Sequence, residues 1–364
     1  MKILHFHPDG RMAVNFIDPL IKAERDYGYS SELITSTRKS KLSSVVLPYD
    51  ISFQNLLVLP LVFFRICMLL RERRPDVVIS HNTKSSPLPL LAAWIMGIKT
   101  RIYFNHGVPY VGYRGVLRSL LRIFEVFNCA LSTRVVTVSP DMAELLLDVQ
   151  QGVQPTMILN GSPCGIDLDL YDSDLFKGSK WRYENKIEEN DAVVVYIGRP
   201  EKRKGFEHVL QLWNEYLIEP RYKLVICGAS SVDVLKHLPV IPSNIICLGF
   251  VNNIPEVLFN ADMLILPSLH EGLSYAVLEA MASNCVVIAN DIEGVRHLID
   301  DGKNGFLVQG NLLPIYANLI RSMVNDKERA LNIKHNALAT AATFSRNDFI
   351  PAYLEFLNQV AKFR

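Results

Sequence analysis

The chain has 364 residues, 49% of them hydrophobic, and a formal net charge of +1. That length suits two domains of ordinary size, each able to bury a core, and the balanced charge gives no reason to expect a nucleic-acid partner. No long polar tract and no repeat at solenoid or propeller period is present, which excludes a largely disordered chain and a repeat architecture.

Charge is nevertheless uneven. Through residue 166 there are 18 Lys and Arg against 12 Asp and Glu; beyond it the count is 20 against 25. A basic first half suits an anionic surface or substrate, or is simply scattered, solvated charge. Cys67, Cys129, Cys164, Cys227, Cys247 and Cys285 form no C-x-x-C pair and no zinc spacing. They lie in apolar runs and read as buried free thiols of a cytoplasmic protein. The chain enters a strand at Lys2, so no signal peptide is expected.

In chain order, strands are predicted at Lys2–His7, Ser31–Thr35, Asp76–His81, Arg101–Asn105, Arg134–Val138 and Met157–Leu159. Helices are predicted at Val14–Tyr27, Pro87–Met96 and Gly115–Cys129. Leu56–Leu70 is too short to span a bilayer and contains Pro60 and Arg65, so it reads as a buried or interfacial helix. Gly161–Asn190 is polar and turn-rich and reads as a linker. The alternation then restarts with Ala192–Ile197, Tyr222–Cys227, Ile245–Leu248, Met263–Leu266 and Val286–Ala289. Ser345–Arg364 reads as an amphipathic helix with Phe349, Tyr353, Phe356, Leu357 and Val360 on one face. Strand–helix alternation of this kind predicts an α/β protein with two parallel sheets in series. Ligands of such sheets bind at the carboxyl ends of the strands.

Two strand ends carry candidate chemistry. After the strand Met263–Leu266, the segment PSLHEGLSYAVLEAMA opens a helix at Gly272-Leu273-Ser274, and a helix N-terminus is a natural anion site. Glu271 stands at its mouth. Glu279 lies inside it among apolar neighbours, either solvated or partnered by hydroxyls such as those of a ribose. After the strand Ala192–Ile197, the loop Gly198–Gly205 carries Arg199 and Lys204. The two cations could bracket a diphosphate, or the loop could be merely solvated.

These residues carry a resemblance. The E-x7-E pair of HEGLSYAVLEAMA, preceded by LGFVNNIPEVLFNADMLILPS, together with GRPEKRKGFEHVLQ and EGVRHLIDDGKNGFLV, resembles the family 4 retaining glycosyltransferases of the GT-B fold. The likeness covers nearly the whole chain and is strongest over Val193–Val308. It implies two Rossmann-like domains facing across a cleft. Residues 1–166 would form the acceptor-binding domain, residues 167–345 the nucleotide-sugar-binding domain, and the helix 346–364 would pack back on the first.

The resemblance also implies roles. Glu271 would hold hydroxyls of the transferred sugar, and the amides around Gly272, Leu273 and Ser274 the distal phosphate. Glu279 would hold the ribose, Arg199 and Lys204 the departing diphosphate, and Phe250-Val251 would lie near the nucleobase. In Asn105-His106-Gly107, His106 would face the donor sugar. His81 matches a common family position with a packing and orienting role, and Ser139 and Asn160-Gly161 are expected to be structural. The loop His7-Pro8-Asp9-Gly10-Arg11 has one glycine where many relatives have two, and Gly10 would let backbone approach the diphosphate.

No D-x-D motif sits where a metal would bridge a diphosphate in the other common transferase fold, so no metal and no cofactor is expected; the nucleotide sugar is a co-substrate. The expected partners are a UDP-linked hexose or N-acetylhexosamine donor, a saccharide or polyprenyl-diphosphate-linked saccharide acceptor, and an anionic membrane surface at the inner face of the cytoplasmic membrane. Arg114, Arg118 and Arg122 recur every four residues beside an apolar stripe, which suits such a surface. An epimerase of similar build and a nucleotide-sugar-binding protein without activity are the rival readings.

Overall fold

The computed structural model describes residues 1–36, 42–52, 56–149, 154–310 and 312–362, without the side chains of Arg11, Met12, Ser43, Ser44 and Leu56. It divides into two compact units, residues 1–165 with 346–364, and residues 166–345.

Unit 1 contains β1 (Lys2–Phe6), α1 (Gly10–Phe16), α2 (Asp18–Asp26), β2 (Ser30–Thr35), β3 (Ser43–Val46), α3 (Leu59–Arg73), β4 (Val77–His81), α4 (Pro87–Ile95), β5 (Thr100–Asn105), α5 (Gly115–Leu131), β6 (Arg134–Thr137), α6 (Pro140–Leu147) and β7 (Pro155–Met157). Its seven strands run parallel in the order β3-β2-β1-β4-β5-β6-β7. Leu4, Phe6, Ile34 and Val78 pack on one face of this sheet beneath Val62, Ile66, Leu69 and Leu70 of α3 and Ala92 and Ala93 of α4.

Unit 2 contains α7 (Trp181–Glu184), β8 (Ala192–Ile197), α8 (Phe206–Glu215), β9 (Tyr222–Cys227), α9 (Ser231–Val234), β10 (Ile245–Gly249), α10 (Ile254–Phe259), β11 (Met263–Leu266), α11 (Tyr275–Ala282), β12 (Val286–Asn290), β13 (Phe306–Val308), α12 (Leu313–Asn325) and α13 (Lys327–Ala342). Six parallel strands run in the order β10-β9-β8-β11-β12-β13. Both faces are covered, so alternate residues of one strand serve separate cores. Val194 and Tyr196 pack with α8 and α12, whereas Val193 and Val195 pack with α10, α11 and α13. This explains the unbroken apolar run AVVVYI. The last helix, α14 (Arg346–Lys362), belongs to unit 1 and packs on α2, burying Phe349, Tyr353, Leu357 and Val360.

Three expectations are corrected. The stretch expected as a single helix from Val14 to Tyr27 is two helices, α1 and α2, with Ile17 between them. Pro19 falls in the first turn of α2, where a missing amide costs little. The last strand of unit 1 is Pro155–Met157, not Met157–Leu159, and Leu159 has a left-handed backbone with φ 51°. The supposed linker is mostly unit 2: Ile166, Trp181 and Ile187 are buried in its core. Leu56–Leu70 is helical from Leu59, and its side chains are split. Val62, Ile66, Leu69 and Leu70 are buried while Leu61, Phe64 and Met68 are exposed. No described helix is long and apolar enough to cross a membrane.

Candidate active site

Unit 2 reverses its strand order between β8 and β11, so the loops that follow those strands flank the crevice where parallel sheets bind ligands. Both loops predicted to carry chemistry are these two. Backbone knits them together: the Leu269 amide donates to the Arg203 carbonyl at 2.9 Å, and Arg203 Nη1 donates to the His270 carbonyl at 3.2 Å. Gly205 closes the first loop at φ +70°, and a Cβ there would stand 2.1 Å from the Pro267 carbonyl oxygen. Only glycine allows that approach.

Lys204 and Glu271 meet as a result. Lys204 Nζ lies 2.6 and 2.9 Å from the two carboxylate oxygens of Glu271, and the side chains are 19% and 10% exposed. Arg199 behaves differently. Its guanidinium is exposed and pairs with Glu201 at 2.9 Å, while its carbonyl, with that of Lys204, accepts from the Tyr196 hydroxyl. The two cations expected to act together on a diphosphate thus each have a carboxylate partner.

Glu279 is neither solvated nor alone. It is half-buried, accepts from the Tyr171 hydroxyl at 3.0 Å, and burial pushes its carboxyl up to about 7 against that hydrogen bond. At the mouth of α11 the Ser274 amide donates to the Gly294 carbonyl at 3.1 Å, so this amide is not available to a phosphate as expected. Leu273 packs against the core together with Val251, whereas Phe250, just past β10, is 86% exposed, an open aromatic face beside a strand end. Gly272 is tied to Gly294 sterically: a Cβ on Gly294, at φ +77°, would stand 2.5 Å from the Gly272 carbonyl oxygen.

In unit 1 the corresponding reversal lies between β1 and β4. His106 follows β5 and is half-buried. Burial, then the charge of His7, brings its imidazole down to about 3, so it is neutral at physiological pH. The adjacent turn is fixed from below. The Asn105 side chain accepts from the Gly107 amide at 2.9 Å and donates to the Tyr103 hydroxyl at 2.8 Å. Tyr103 in turn donates to Glu125 of α5 at 2.7 Å. Gly10 begins α1 and is buried. His7 beside it takes a hydrogen bond from Asn82 at 2.7 Å, and burial lowers its imidazole to about 4. His81 is fully buried and hydrogen-bonded on both ring nitrogens. Ser139 caps α6 by accepting from the Met142 amide at 3.3 Å. Gly161 at φ +85° lets backbone pass Val138, so both residues act structurally.

Sequence reasoning missed Tyr171, Gly294, Glu125, and the pair His5 and Glu24. Gly294 was within reach, because it lies in the quoted segment EGVRHLIDDGKNGFLV. Tyr171 was hidden by being assigned to a linker.

Known proteins resemble this chain along most of its length. The family described as "Glycosyltransferase Family 4" matches residues 15–170, and that described as "Glycosyl transferases group 1" matches residues 178–340. The UDP-Gal:alpha-D-GlcNAc-diphosphoundecaprenol alpha-1,3-galactosyltransferase of Escherichia coli is 26% identical over 274 residues, 73% of this chain and 70% of that protein. The N,N'-diacetylbacillosaminyl-diphospho-undecaprenol alpha-1,3-N-acetylgalactosaminyltransferase of Campylobacter jejuni is 23% identical over the full length of both. Among solved structures, Anabaena HepE in complex with UDP and glucose superimposes with a TM-score of 0.83 at 20% identity, covering 98% of this chain and 99% of that one. The chain belongs to the family 4 glycosyltransferases and has their GT-B architecture of two Rossmann-like units.

Proposed function

We propose that the protein transfers a hexose or N-acetylhexosamine, with retention, from a UDP-sugar to a polyprenyl-diphosphate-linked saccharide during bacterial surface-glycan assembly. The observation that carries this reading is the Lys204–Glu271 pair beside the N-terminus of α11, at the carboxyl edge of the unit 2 sheet. Two relatives named for galactose or N-acetylgalactosamine transfer to undecaprenol-linked acceptors support the sugar and acceptor classes. The epimerase and binding-protein readings have no support among those relatives.

In this reading unit 2 holds the donor and unit 1 the acceptor. The bond from the anomeric carbon to the diphosphate breaks, and Lys204, Arg199 and the first turn of α11 stabilise the charge that develops on the leaving oxygen. The acceptor hydroxyl attacks the same face and gives its proton to the departing phosphate. Glu271 holds the sugar hydroxyls, Glu279 the ribose, and Phe250 stacks by the base. No metal or cofactor takes part.

In this reading the reaction occurs at the cytoplasmic face of a membrane. On α5 the polar Glu125 and Asn128 point inward, while Val116, Leu117, Leu120, Ile123 and Val126 are exposed beside Arg114, Arg118 and Arg122. α4 packs against both α3 and α5, and Leu61, Phe64 and Met68 of α3 add exposed apolar surface. Each cation near anionic lipid contributes about 1 kcal/mol.

Thermal-shift screening against UDP- and GDP-sugars, followed by transfer to a synthetic undecaprenyl-diphosphate saccharide, tests the chemistry. Stabilisation by GDP-sugars alone, or transfer only to soluble glycans, would overturn it. Co-sedimentation with liposomes tests the location: binding is expected to need anionic lipid, fall with salt, and weaken when Arg114, Arg118 and Arg122 become Gln.

A further inference from the structure

Three histidines of unit 1 form a diagonal row across adjacent strands. His5 of β1 pairs in register with Ile79 of β4, and His81 lies two residues beyond Ile79. His81 pairs with Phe104 of β5, and His106 lies two residues beyond Phe104. A step of two residues preserves the face of a strand, so His5 and His81 share one side of the sheet, and His106, one residue past β5, continues the row.

Their nitrogens are in contact. His5 Nδ1 lies 3.1 Å from His81 Nε2, and His81 Nδ1 lies 2.8 Å from His106 Nε2. The ring centroids are 5.4 and 5.1 Å apart, each longer than the nitrogen contact by about one ring width, so the contacts are in line, edge to edge. Beyond His5 stands Glu24 of α2, with carboxylate oxygens 3.0 and 3.1 Å from His5 Nε2. Tyr353 of α14 donates its hydroxyl to Glu24 Oε1. Glu24, His5 and His81 are completely buried, and Tyr353 is 1% exposed.

Each contact in such a row needs one donor and one acceptor. Glu24 is held ionised: burial opposes the charge, but the hydrogen bonds from His5 and Tyr353 help keep its carboxyl below the ordinary range. An ionised carboxylate only accepts, so His5 Nε2 carries the hydrogen. With one proton per ring, His5 Nδ1 then accepts from His81 Nε2–H, and His81 Nδ1 accepts from His106 Nε2–H.

We propose that Glu24 is a positioning residue for the transferase reaction: through His5 and His81 it holds His106 as the Nε2–H tautomer, with Nδ1 as a hydrogen-bond acceptor for a hydroxyl of the donor sugar. The proposal rests on the reading of His106 as a contact to that sugar. The direction of the row is set by its far end. In Glu24→Gln, the Tyr353 hydroxyl claims the amide oxygen and turns the NH₂ group toward His5. His5 Nε2 then accepts, every ring reverses, and His106 carries its proton on Nδ1. Tyr353→Phe keeps the carboxylate and therefore the original direction.

The test uses the full chain labelled with 15N-histidine at pH 8, where long-range 1H–15N spectra separate the two tautomers and His106→Gln assigns the ring. The wild type is expected to show His106 as Nε2–H, Tyr353→Phe likewise, and Glu24→Gln as Nδ1–H. Donor kcat/KM in Glu24→Gln is expected to fall roughly tenfold, mainly in KM, the scale of one hydrogen bond. A wild-type Nδ1–H tautomer at His106 would overturn the proposal. An unchanged tautomer in folded Glu24→Gln would overturn the relay. Reversal with unchanged kinetics would overturn the positioning role, and would locate the failure in the reading of His106 as a sugar contact.

Discussion

Lys204 Nζ sits within 2.9 Å of both carboxylate oxygens of Glu271, a residue 67 positions away on another loop. The pair is largely shielded from water, so each partner compensates a charge that would be costly alone. In the proposed reaction a donor diphosphate would compete with Glu271 for that ammonium, and donor hydroxyls with Lys204 for the carboxylate.

Lys204→Ala is therefore expected to lower turnover by roughly two to three orders of magnitude. It should also destabilise the protein by stranding Glu271. The double variant Lys204→Ala with Glu271→Ala is expected to regain most of that stability and none of the activity, as read by urea unfolding and by donor consumption. Activity in EDTA should match activity without it. Recovery of turnover in the double variant, or rescue by added Mn²⁺ after chelation, contradicts the assignment.

Glu279 titrates near neutrality because burial outweighs its bond to Tyr171. Ribose hydroxyls donate to an ionised carboxylate, so UDP affinity is expected to rise as pH increases through about 7. Glu279→Gln should flatten that dependence, and Tyr171→Phe should move it to higher pH. Glu279→Ala should weaken UDP binding by about 1.5–3 kcal/mol, whereas Glu271→Ala acts mainly on turnover. Isothermal titration with UDP from pH 6 to 8 checks the binding outcomes, and donor consumption checks the turnover of Glu271→Ala.

At Gly294 a methyl group would collide with the carbonyl oxygens of Gly272 and Glu271, at 2.5 and 2.6 Å, and the backbone φ is +77°. Gly294→Ala is expected to cost at least about 1 kcal/mol of stability. It should also displace the Glu271 turn, so that donor turnover falls while the far-UV circular dichroism stays native. Wild-type kinetics in this variant would mean the turn moves without consequence.

Much of this was readable from the chain. The strands Ala192–Ile197, Tyr222–Cys227 and Met263–Leu266 are found at the residues expected, because central parallel strands are continuous apolar runs. The edge strands Ser43–Val46 and Phe306–Val308 were missed; with three or four residues and one neighbour, they carry too little pattern. Lys204, Glu271 and Glu279 were visible through their motifs. The bonds from Lys204 to Glu271 and from Tyr171 to Glu279 were not, since no local period connects residues 67 and 108 positions apart. The diagonal of His5, His81 and His106 becomes visible only once the strand order is known.

Glu125 supplies a pH test of stability. Burial raises its carboxyl from 4.5 to about 7 although Thr83, Tyr103 and Asn105 all donate to it. Between those values the native state keeps a proton that the unfolded chain has lost, so stability falls as pH rises through that window and levels off above it. Glu125→Gln removes this slope. Relative to wild type the variant should gain roughly 2–3 kcal/mol between pH 5 and pH 8, measured by urea unfolding. A parallel pair of stability curves would show that Glu125 stays ionised throughout.

The bond from Tyr353 to Glu24 spans 329 residues, with the whole of unit 2 lying between them. During synthesis unit 1 therefore leaves the ribosome with its seven strands made but its buried Glu24 carboxylate lacking the tyrosine hydroxyl, and with the face of α2 uncovered. A buried charge short of partners and an open apolar face both hold a fold back. Unit 2 has all of its own elements once residue 345 is made, so the second unit in sequence is complete before the first.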